Sequence, residues 1–367
     1  MGLTAEPDSV SSRLHAAIAR AIEANGGWLP FDRYMALALY APGLGYYARA
    51  EQPFGRWPGA SDFVTAPELT PLFGQALARQ LAQALAACDT DMVVEFGAGS
   101  GALAETVLEA IAPAALRHYA IVELSAALRA RQTARLARFG DRVRWLDRLP
   151  DALTAVVIGN EVLDAMPVQL LVFDGGTWRE RGVVVAGDGR FGWHDRPTAL
   201  RPPHDAEFPP GSITELHAQA EAFVATVART LRRGAAFFID YGFPAAEYYH
   251  PQRVGGTLMC HRGHQADSDP LSDVGRKDIT AHVDFSGIAL AAQDAGADVV
   301  GYTSQARFLI NCGLLEAMQR AEPAGRAAAH PLIAEHEMGE LFKVIGLAKE
   351  CRFEPLGFAA GDRTHRL

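Results

Sequence analysis

An open, mostly parallel α/β sheet with helices on both faces is the fold class this sequence predicts. Three observations carry it. Short apolar runs alternate with helical repeats from residue 92 to about residue 240. The first of those runs ends in a glycine-rich loop. The 49% hydrophobic and 21% charged content of 367 residues supplies enough apolar material for one large core with extensions.

The elements follow in order. Leu14, Ala17, Ile18, Ala21 and Ile22 recur at helical spacing, and Asn25-Gly26-Gly27 stops that helix. A second helix is expected over Phe31 to Leu39. APGLGYYA and EQPFGRWPGASDF are too rich in Gly and Pro for regular structure and read as a long loop. From Thr70-Pro71 a helix runs to about Ala87, with Pro71 in the first turn, where its missing N–H costs nothing. MVVEF opens the core pattern, followed by helical ALAETVLEAI, the strand run HYAIVEL and helical SAALRARQTARLARF. Further strands are expected at Arg142 to Leu146, Ala155 to Gly159 and Ala235 to Asp240, the last behind a helix over Glu215 to Arg232.

Two stretches interrupt the alternation. Residues 168–210 read as a β insertion with hairpin turns at Gly175-Gly176 and Asp188-Gly189. Residues 243–278 are Gly-, His- and Asp-rich and read as a loop or lid. The closing segment has the apolar run ADVVGYT, helical stretches over Phe308 to Gln319 and Pro331 to Gly339, and a final strand in FKVIGLAKE. This divides the chain into an N-terminal helical and covering region, residues 1–90, and a Rossmann-like domain, residues 91–367, carrying both insertions.

Composition narrows the function. A formal charge of −9 and a pI near 5.7 leave no basic surplus for a phosphate backbone, which argues against nucleic acid and towards a cationic or neutral substrate. Cys88, Cys260, Cys312 and Cys351 lie far apart without a C-x-x-C pair, so no disulfide framework or zinc ribbon is expected and a reducing cytoplasm suits them. Glu6 and Asp8 stand where a signal peptide would need an apolar core, and no uncharged apolar stretch approaches a membrane span. A cytoplasmic protein without membrane attachment is the expectation.

VVEFGAGSGAL places Glu95, Gly97, Gly99 and Gly101 between a strand and a helix, where missing β-carbons let a ligand approach the backbone. Gly97, Gly99 and Ala102 also satisfy the relaxed dinucleotide fingerprint, so the loop by itself fits NAD or S-adenosylmethionine, and a plain tight turn would use the same letters. Glu123 ends the next strand 24 residues beyond Gly99, the distance at which an acid meets the hydroxyls of an adenosine ribose. Asp147, behind the third strand, can face an adenine ring or serve as a loop acid. GNEVLDAMPV puts Asn160, Glu161 and Asp164 at a strand's carboxyl end, where substrates enter such sheets, although Asn160 could equally cap a helix there.

Asp240 and Tyr241 in FFIDYGF follow the fifth strand. His282 and Asp284 in DITAHVDF can pair to polarise a substrate or hold a lid, or His282 can be a structural fixture. Cys260, His261 and His264 have ligand-like spacing but lack a fourth partner, and no bound metal is expected.

The chain resembles the MidA-like methyltransferases, a family that includes the mitochondrial complex I assembly factor that methylates an arginine. The likeness lies in PFDRYMALALYAPGLGYY, SDFVTAPELTPLFG, VVEFGAGSGALA, IVELSAALRARQ, GNEVLDAMPV, FFIDYGF, GGTLMCHRGHQADSDPL, DITAHVDF and SQARFL, spread over most of the chain. It implies a seven-stranded class I methyltransferase sheet with an N-terminal helical extension and insertions, and S-adenosylmethionine as cofactor, leaving as S-adenosylhomocysteine. It carries Gly97, Gly99 and Gly101 to the cofactor loop, Glu123 to the ribose, and Ser61, Asp62 and Thr65 to a segment covering the cofactor. It implies a protein partner presenting an arginine. If an arginine is the acceptor, the two acids near one strand end, Glu161 and Asp164, are the expected clamp for its planar guanidinium, and Asn160, Asp240 and His282 are further candidate catalytic groups. A small-molecule methyltransferase and an assembly factor that binds the cofactor without turnover are the alternatives. An NAD-dependent oxidoreductase ranks last, for want of a second Rossmann half. The insertions are candidate surfaces for a partner or for a second copy in a homodimer.

Overall fold

The computed structural model describes residues 8–49, 65–204, 207–263 and 265–367. Helix α1 (Asp8–Ala24) and helix α2 (Phe31–Tyr40) flank the two-residue strand β1 (Leu29–Pro30), and a short α3 (Ala66–Leu69) precedes α4 (Pro71–Ala87). Pro71 occupies the first turn of α4, while Thr70 caps it by accepting the Leu72 N–H on its hydroxyl at 3.3 Å.

The alternation then unfolds as β2 (Met92–Phe96), α5 (Ala102–Ala110), β3 (His118–Val122), α6 (Ala126–Leu136), β4 (Val143–Leu146) and β5 (Leu153–Asn160). The first insertion supplies β6 (Gln169–Phe173), β7 (Trp178–Val185), β8 (Phe191–Pro197) and β9 (Ile213–Leu216). Helix α7 (Ala218–Thr230) leads into the long β10 (Leu231–Phe243), and α8 (Ala245–Tyr248) opens the second insertion with β11 (Met259–Arg262), β12 (Gln265–Asp267) and β13 (Asp278–Thr280). Strand β14 (Val283–Asp284), α9 (Phe285–Asp294), β15 (Asp298–Ser304), α10 (Gln305–Asn311), α11 (Leu314–Arg320), α12 (Pro323–Ala329) and β16 (Phe342–Lys349) complete the chain.

The central sheet has the order β15-β16-β10-β5-β2-β3-β4, with β14 pairing β10. Strands β10, β5, β2, β3 and β4 pair in parallel, and β16 runs antiparallel to both neighbours. Its apolar runs are buried on both faces, as sheets covered by helices on both sides require. Val93, Val156 and Phe237 point to one layer with Leu77, Leu81, Val107 and Phe308; Val94, Val157 and Phe238 point to the other with Val224, Val227 and Ile288. Each fully buried Phe contributes about 1.5–3 kcal/mol of transfer free energy.

A separate core joins parts distant in sequence. Leu14 and Ile18 of α1 and Phe31, Met35 and Leu39 of α2 pack on Leu170, Val183, Cys260 and Ile279 from both insertions. The first insertion is the expected β structure: β6, β7 and β9 form a sheet with β1, and β8 hairpins onto β7. The second differs from expectation. Instead of only a loop, it contains the small sheet β12-β11-β13.

Other elements also differ. The helix expected from Glu215 starts at Ala218, because residues 213–216 pair with β6 as β9. The stretch over Phe308 to Gln319 is two helices, broken by Gly313 at φ +83°, where a β-carbon would strike the Arg79 guanidinium. Residues 331–339 make only short irregular turns, with Glu337 outside helical geometry, and the regular helix lies earlier, at α12.

Cys88 and Cys351 are disulfide-bonded, which corrects the expectation of no disulfide. They are 263 residues apart in sequence but close α4 and β16 onto one another. Such a bond typically stabilises by about 2–4 kcal/mol, chiefly through the unfolded chain. No helix of the described residues is long and apolar enough to cross a membrane.

Candidate functional site

The glycine loop joins β2 to α5. Gly97, Gly99 and Gly101 all take left-handed φ values, +64°, +53° and +84°, which glycine alone adopts without a steric penalty. A β-carbon at Gly97 would sit 2.9 Å from Val162 Cγ2, so this glycine also lets the loop pack against the turn behind β5. At Gly99 nothing lies within 4 Å of the position a β-carbon would take. That open strip of backbone, at the N-terminus of α5, is a cradle that fits an adenosine-type cofactor.

Acidic groups flank the cradle. Glu95, 2% exposed, accepts the Tyr119 O–H at 2.7 Å, and burial pushes its carboxyl up to about 8. Glu123, at the end of β3, accepts the Ser125 N–H at 2.8 Å on Oε1 and the Gln132 amide N–H at 3.1 Å on Oε2. Burial raises its pKa, and the Ser125 hydrogen bond opposes the shift. Leu124 beside it is 83% exposed, an apolar surface at the mouth of the cradle.

Gln132 was absent from the sequence-based candidates. Fully buried on α6, it donates to the Gly99 carbonyl at 2.9 Å as well as to Glu123, and its own oxygen accepts the Trp145 N–H at 2.9 Å. A signal existed: Gln132 stands between Leu128 and Leu136 on the buried stripe of α6, where an amide needs partners. Asp147 projects into solvent and pairs with Arg129 at 2.7 Å; Arg129 also donates to the Glu123 carbonyl at 3.2 Å.

Ser61 and Asp62 lie outside the described residues. Thr65 precedes α3 in an extended conformation, and its hydroxyl makes no cap. Helix α3 is tied to the glycine loop, because Glu68 accepts the Ser100 O–H and Arg135 donates to the same hydroxyl at 2.6 Å.

The second group of candidates gathers at the end of β5. Glu161 has φ +53°, a left-handed backbone that costs a non-glycine residue about 1–2 kcal/mol. Its N–H donates to the Ile239 carbonyl at 2.9 Å, which holds the turn to β10. Asp240, 1% exposed, gathers the N–H groups of Val162, Leu163 and Asp164 on Oδ2 at 3.1, 2.9 and 3.3 Å, and that of Tyr241 on Oδ1 at 3.0 Å. Its hydrogen-bonding capacity is spent on shaping the turn.

The side chains in that turn are less satisfied. Asn160 donates to Glu161 Oε1 at 2.9 Å, and Asp164 Oδ2 accepts the Tyr241 O–H. Asn160 Oδ1 and Asp164 Oδ1 are buried without a partner among the described residues. Among the described residues, no lysine or arginine forms a salt bridge with Glu161 or Asp164. Burial, reinforced by the charge of Asp164, pushes the Glu161 carboxyl up to about 8; burial pushes that of Asp164 up to about 6.

His282 adjoins this turn, its ring packed edge-on against Tyr241 and Phe243 at 5.1 and 5.2 Å, with Nδ1 buried and without a partner among the described residues. Burial, with Arg253 and Lys343 nearby, lowers it to about 4, so the ring is neutral. The suggested His282–Asp284 pair is not formed: Asp284 caps α9, accepting the N–H groups of Ser286 and Gly287 at 3.0 and 3.2 Å. Of the cysteine–histidine cluster, Cys260 is a buried free thiol and His264 lies outside the described residues.

Comparisons with known proteins agree with the cradle. A family model described as "Putative S-adenosyl-L-methionine-dependent methyltransferase" matches residues 76–303. A COG1565 superfamily member from Burkholderia thailandensis, crystallised with S-adenosyl-homocysteine, is 50% identical over 99% of both chains and superposes with a TM-score of 0.94. A native crystal structure of a COG1565 protein from the same organism is 49% identical over 99% of both chains, with a TM-score of 0.90. The mitochondrial protein arginine methyltransferase NDUFAF7 homolog of Caenorhabditis elegans is 27% identical, covering 92% of this chain and 88% of its own length. Its Drosophila melanogaster counterpart is 26% identical, covering 93% and 87%.

Proposed function

From the premise that this chain belongs to that family of S-adenosyl-L-methionine-dependent methyltransferases, we propose that it methylates an arginine side chain of a protein. The observation that carries the reading is the acid pair behind β5. Glu161 and Asp164 stand deep beside the cradle without a cationic partner among the described residues, and Asp164 Oδ1 is buried with no hydrogen-bond partner among them. Unpaired acids in a low-dielectric site favour a cation that arrives with the substrate. The arginine acceptor is also what the curated relatives are named for.

In this reading Gly97, Gly99 and Gly101 offer their backbone to the cofactor, Glu123 accepts the ribose hydroxyls, and Glu95 supports the loop from below. Leu124 covers the adenine, while Asp147 borders it through Arg129. Thr65 borders the segment proposed to cover the cofactor, to which the resemblance also carried Ser61 and Asp62. Bound S-adenosylmethionine supplies a methyl group on a positively charged sulfur.

The protein's own task is to align and deprotonate the acceptor. A guanidinium stays charged at ordinary pH, so one of its nitrogens needs a lone pair freed and an acceptor for the departing proton. Glu161 and Asp164 grip its planar fork; the charge of the incoming guanidinium opposes the burial that raises the Glu161 pKa and favours its carboxylate, which then accepts the departing guanidinium proton. Asn160 orients Glu161 through their 2.9 Å hydrogen bond. Asp240 is a positioning residue that holds the turn, and neutral His282 supports the Tyr241 ring, whose hydroxyl meets Asp164.

The test is transfer of a labelled methyl group from S-adenosylmethionine into lysate proteins, followed by acid hydrolysis and separation of the amino acids. Methylarginine, absent with the Glu161→Gln variant, is expected. Label found only in small molecules, or in residues other than arginine, would overturn the proposal.

A further inference from the structure

Tyr40 and Tyr47 belong to the stretch PFDRYMALALYAPGLGYY and have no part in the site as described so far. Tyr40 ends α2, and its hydroxyl donates to the Ala165 carbonyl at 2.8 Å, one residue beyond Asp164. Yet the residue is 40% exposed, whereas neighbouring Tyr46 is 3% exposed. Tyr47 stacks on Tyr40 with ring centroids 5.5 Å apart and planes 21° from parallel. Its hydroxyl donates at 2.7 Å to Asp278, a buried residue at the start of β13. Three residues further on, the Ala281 N–H donates to the Asp164 carbonyl at 3.0 Å. The two rings are therefore anchored at one end to the turn carrying Asp164 and at the other to the second insertion.

A tyrosine that served only to pack α2 would bury its ring, as Tyr46 does. Tyr40 instead stays 40% exposed while fixing its hydroxyl end beside the acid pair, where Asp164 Oδ1 lies buried with no partner among the described residues. An aromatic face beside carboxylates suits a flat, delocalised cation, which stacks on the ring while its edge donates hydrogen bonds to the acids. An ammonium is a compact, strongly hydrated point charge and gains less from such a wall.

Resting on the arginine reading above, we infer that the stacked Tyr40–Tyr47 pair is the aromatic wall of the acceptor site and selects guanidinium over ammonium. Tyr40 is the ring that meets the substrate. Tyr47 backs it, and Asp278 positions Tyr47.

The experiment is a saturation-transfer NMR titration of the full-length protein, loaded with S-adenosylhomocysteine, using N-acetylarginine methylamide and N-acetyllysine methylamide as probes. Wild type should bind the arginine probe more tightly. Tyr40→Leu should weaken arginine-probe binding roughly five- to tenfold and the lysine probe by less, and Tyr40→Phe should restore it, since a phenyl ring retains the π face. Tyr47→Leu is the second variant, expected to weaken arginine binding in the same direction but less, so the idea stays testable if Tyr40→Leu fails to hold S-adenosylhomocysteine. A wild-type protein that binds neither probe would remove the arginine reading itself. Arginine binding unchanged in both leucine variants, or weakened equally for both probes, would overturn the aromatic wall and leave that reading standing.

Discussion

The two halves of the site are built on opposite electrostatic principles. On the cofactor side, at the ends of β2 and β3, the polar groups are already partnered: Glu123 holds two N–H donors, Gln132 ties Glu123 to the Gly99 carbonyl, and Glu95 holds the Tyr119 hydroxyl. On the side proposed for the acceptor, at the ends of β5 and β10, Asp240 is saturated with backbone donors, but Asn160 Oδ1 and Asp164 Oδ1 have no partner among the described residues and Glu161 carries a left-handed backbone. The first half is preorganised; the second, on the arginine reading proposed above, is completed by the cation that enters. Preorganisation lowers the cost of binding, while unpaired acids and local strain mark where chemistry is done.

That contrast predicts a sorting of variants. Glu161→Gln should cut methyl transfer by about 100-fold or more, the scale of losing a general base, with S-adenosylhomocysteine affinity changed by less than about twofold. Single-turnover kinetics and calorimetry measure the two together, and a matching loss of cofactor affinity would break the division. Glu123→Ala should do the reverse, weakening S-adenosylhomocysteine binding about 10- to 100-fold, the equivalent of losing about 1.5–3 kcal/mol of charged hydrogen bonding.

Asp240→Asn should lower the free energy of unfolding in urea by about 1–3 kcal/mol, because an amide cannot accept the full set of backbone donors and sets its own N–H groups against them. Unchanged stability would mean that the turn behind β5 holds itself. A subtler effect concerns pH. Asp164 titrates near about 6 and Glu161 near about 8, so acceptor affinity should climb as pH rises between them, and Glu161→Gln should remove the upper limb of that climb.

A last effect, on stability alone, concerns Glu95. Its folded pKa of about 8 lies above the ordinary 4.5, so the folded protein holds this proton more tightly than the unfolded chain. The stability that arises is fully present below about pH 4.5 and is lost as pH rises through about 8. Glu95→Gln should flatten the dependence, and urea unfolding at acid and alkaline pH would show parallel curves for the two proteins if Glu95 contributes nothing.

Much of the cofactor half was legible in the sequence because it is local. Gly97, Gly99 and Gly101 sit within one strand–loop–helix unit, and Glu123 comes at the end of the next strand, so spacing alone points to both. Gln132 hid in plain view: only its helical phase hints at burial, and its partners Gly99 and Trp145 arrive from other elements. The turn behind β5 was legible in its acids but not in which of them the backbone would satisfy. Glu161 and Asp240 are similar letters at strand ends, and only the turn that places three N–H groups around Asp240 distinguishes them. Asp284 was read as a partner for His282, but Ser286 and Gly287 offered nearer donors.

The sequence by itself determined the alternating α/β core, the glycine loop, the acid Glu123 behind β3 and the hairpins of the first insertion. Each depends on periodicity or on φ preferences within a few residues, and these act before any long-range contact forms. Only the tertiary structure decided that α1, α2 and both insertions share a core, that Cys88 meets Cys351, and that Tyr40 and Tyr47 stand between Asp164 and Asp278. Those pairings join segments scores or hundreds of residues apart, and they are settled by which apolar surfaces can be buried together, a competition among all segments at once that no local spacing records.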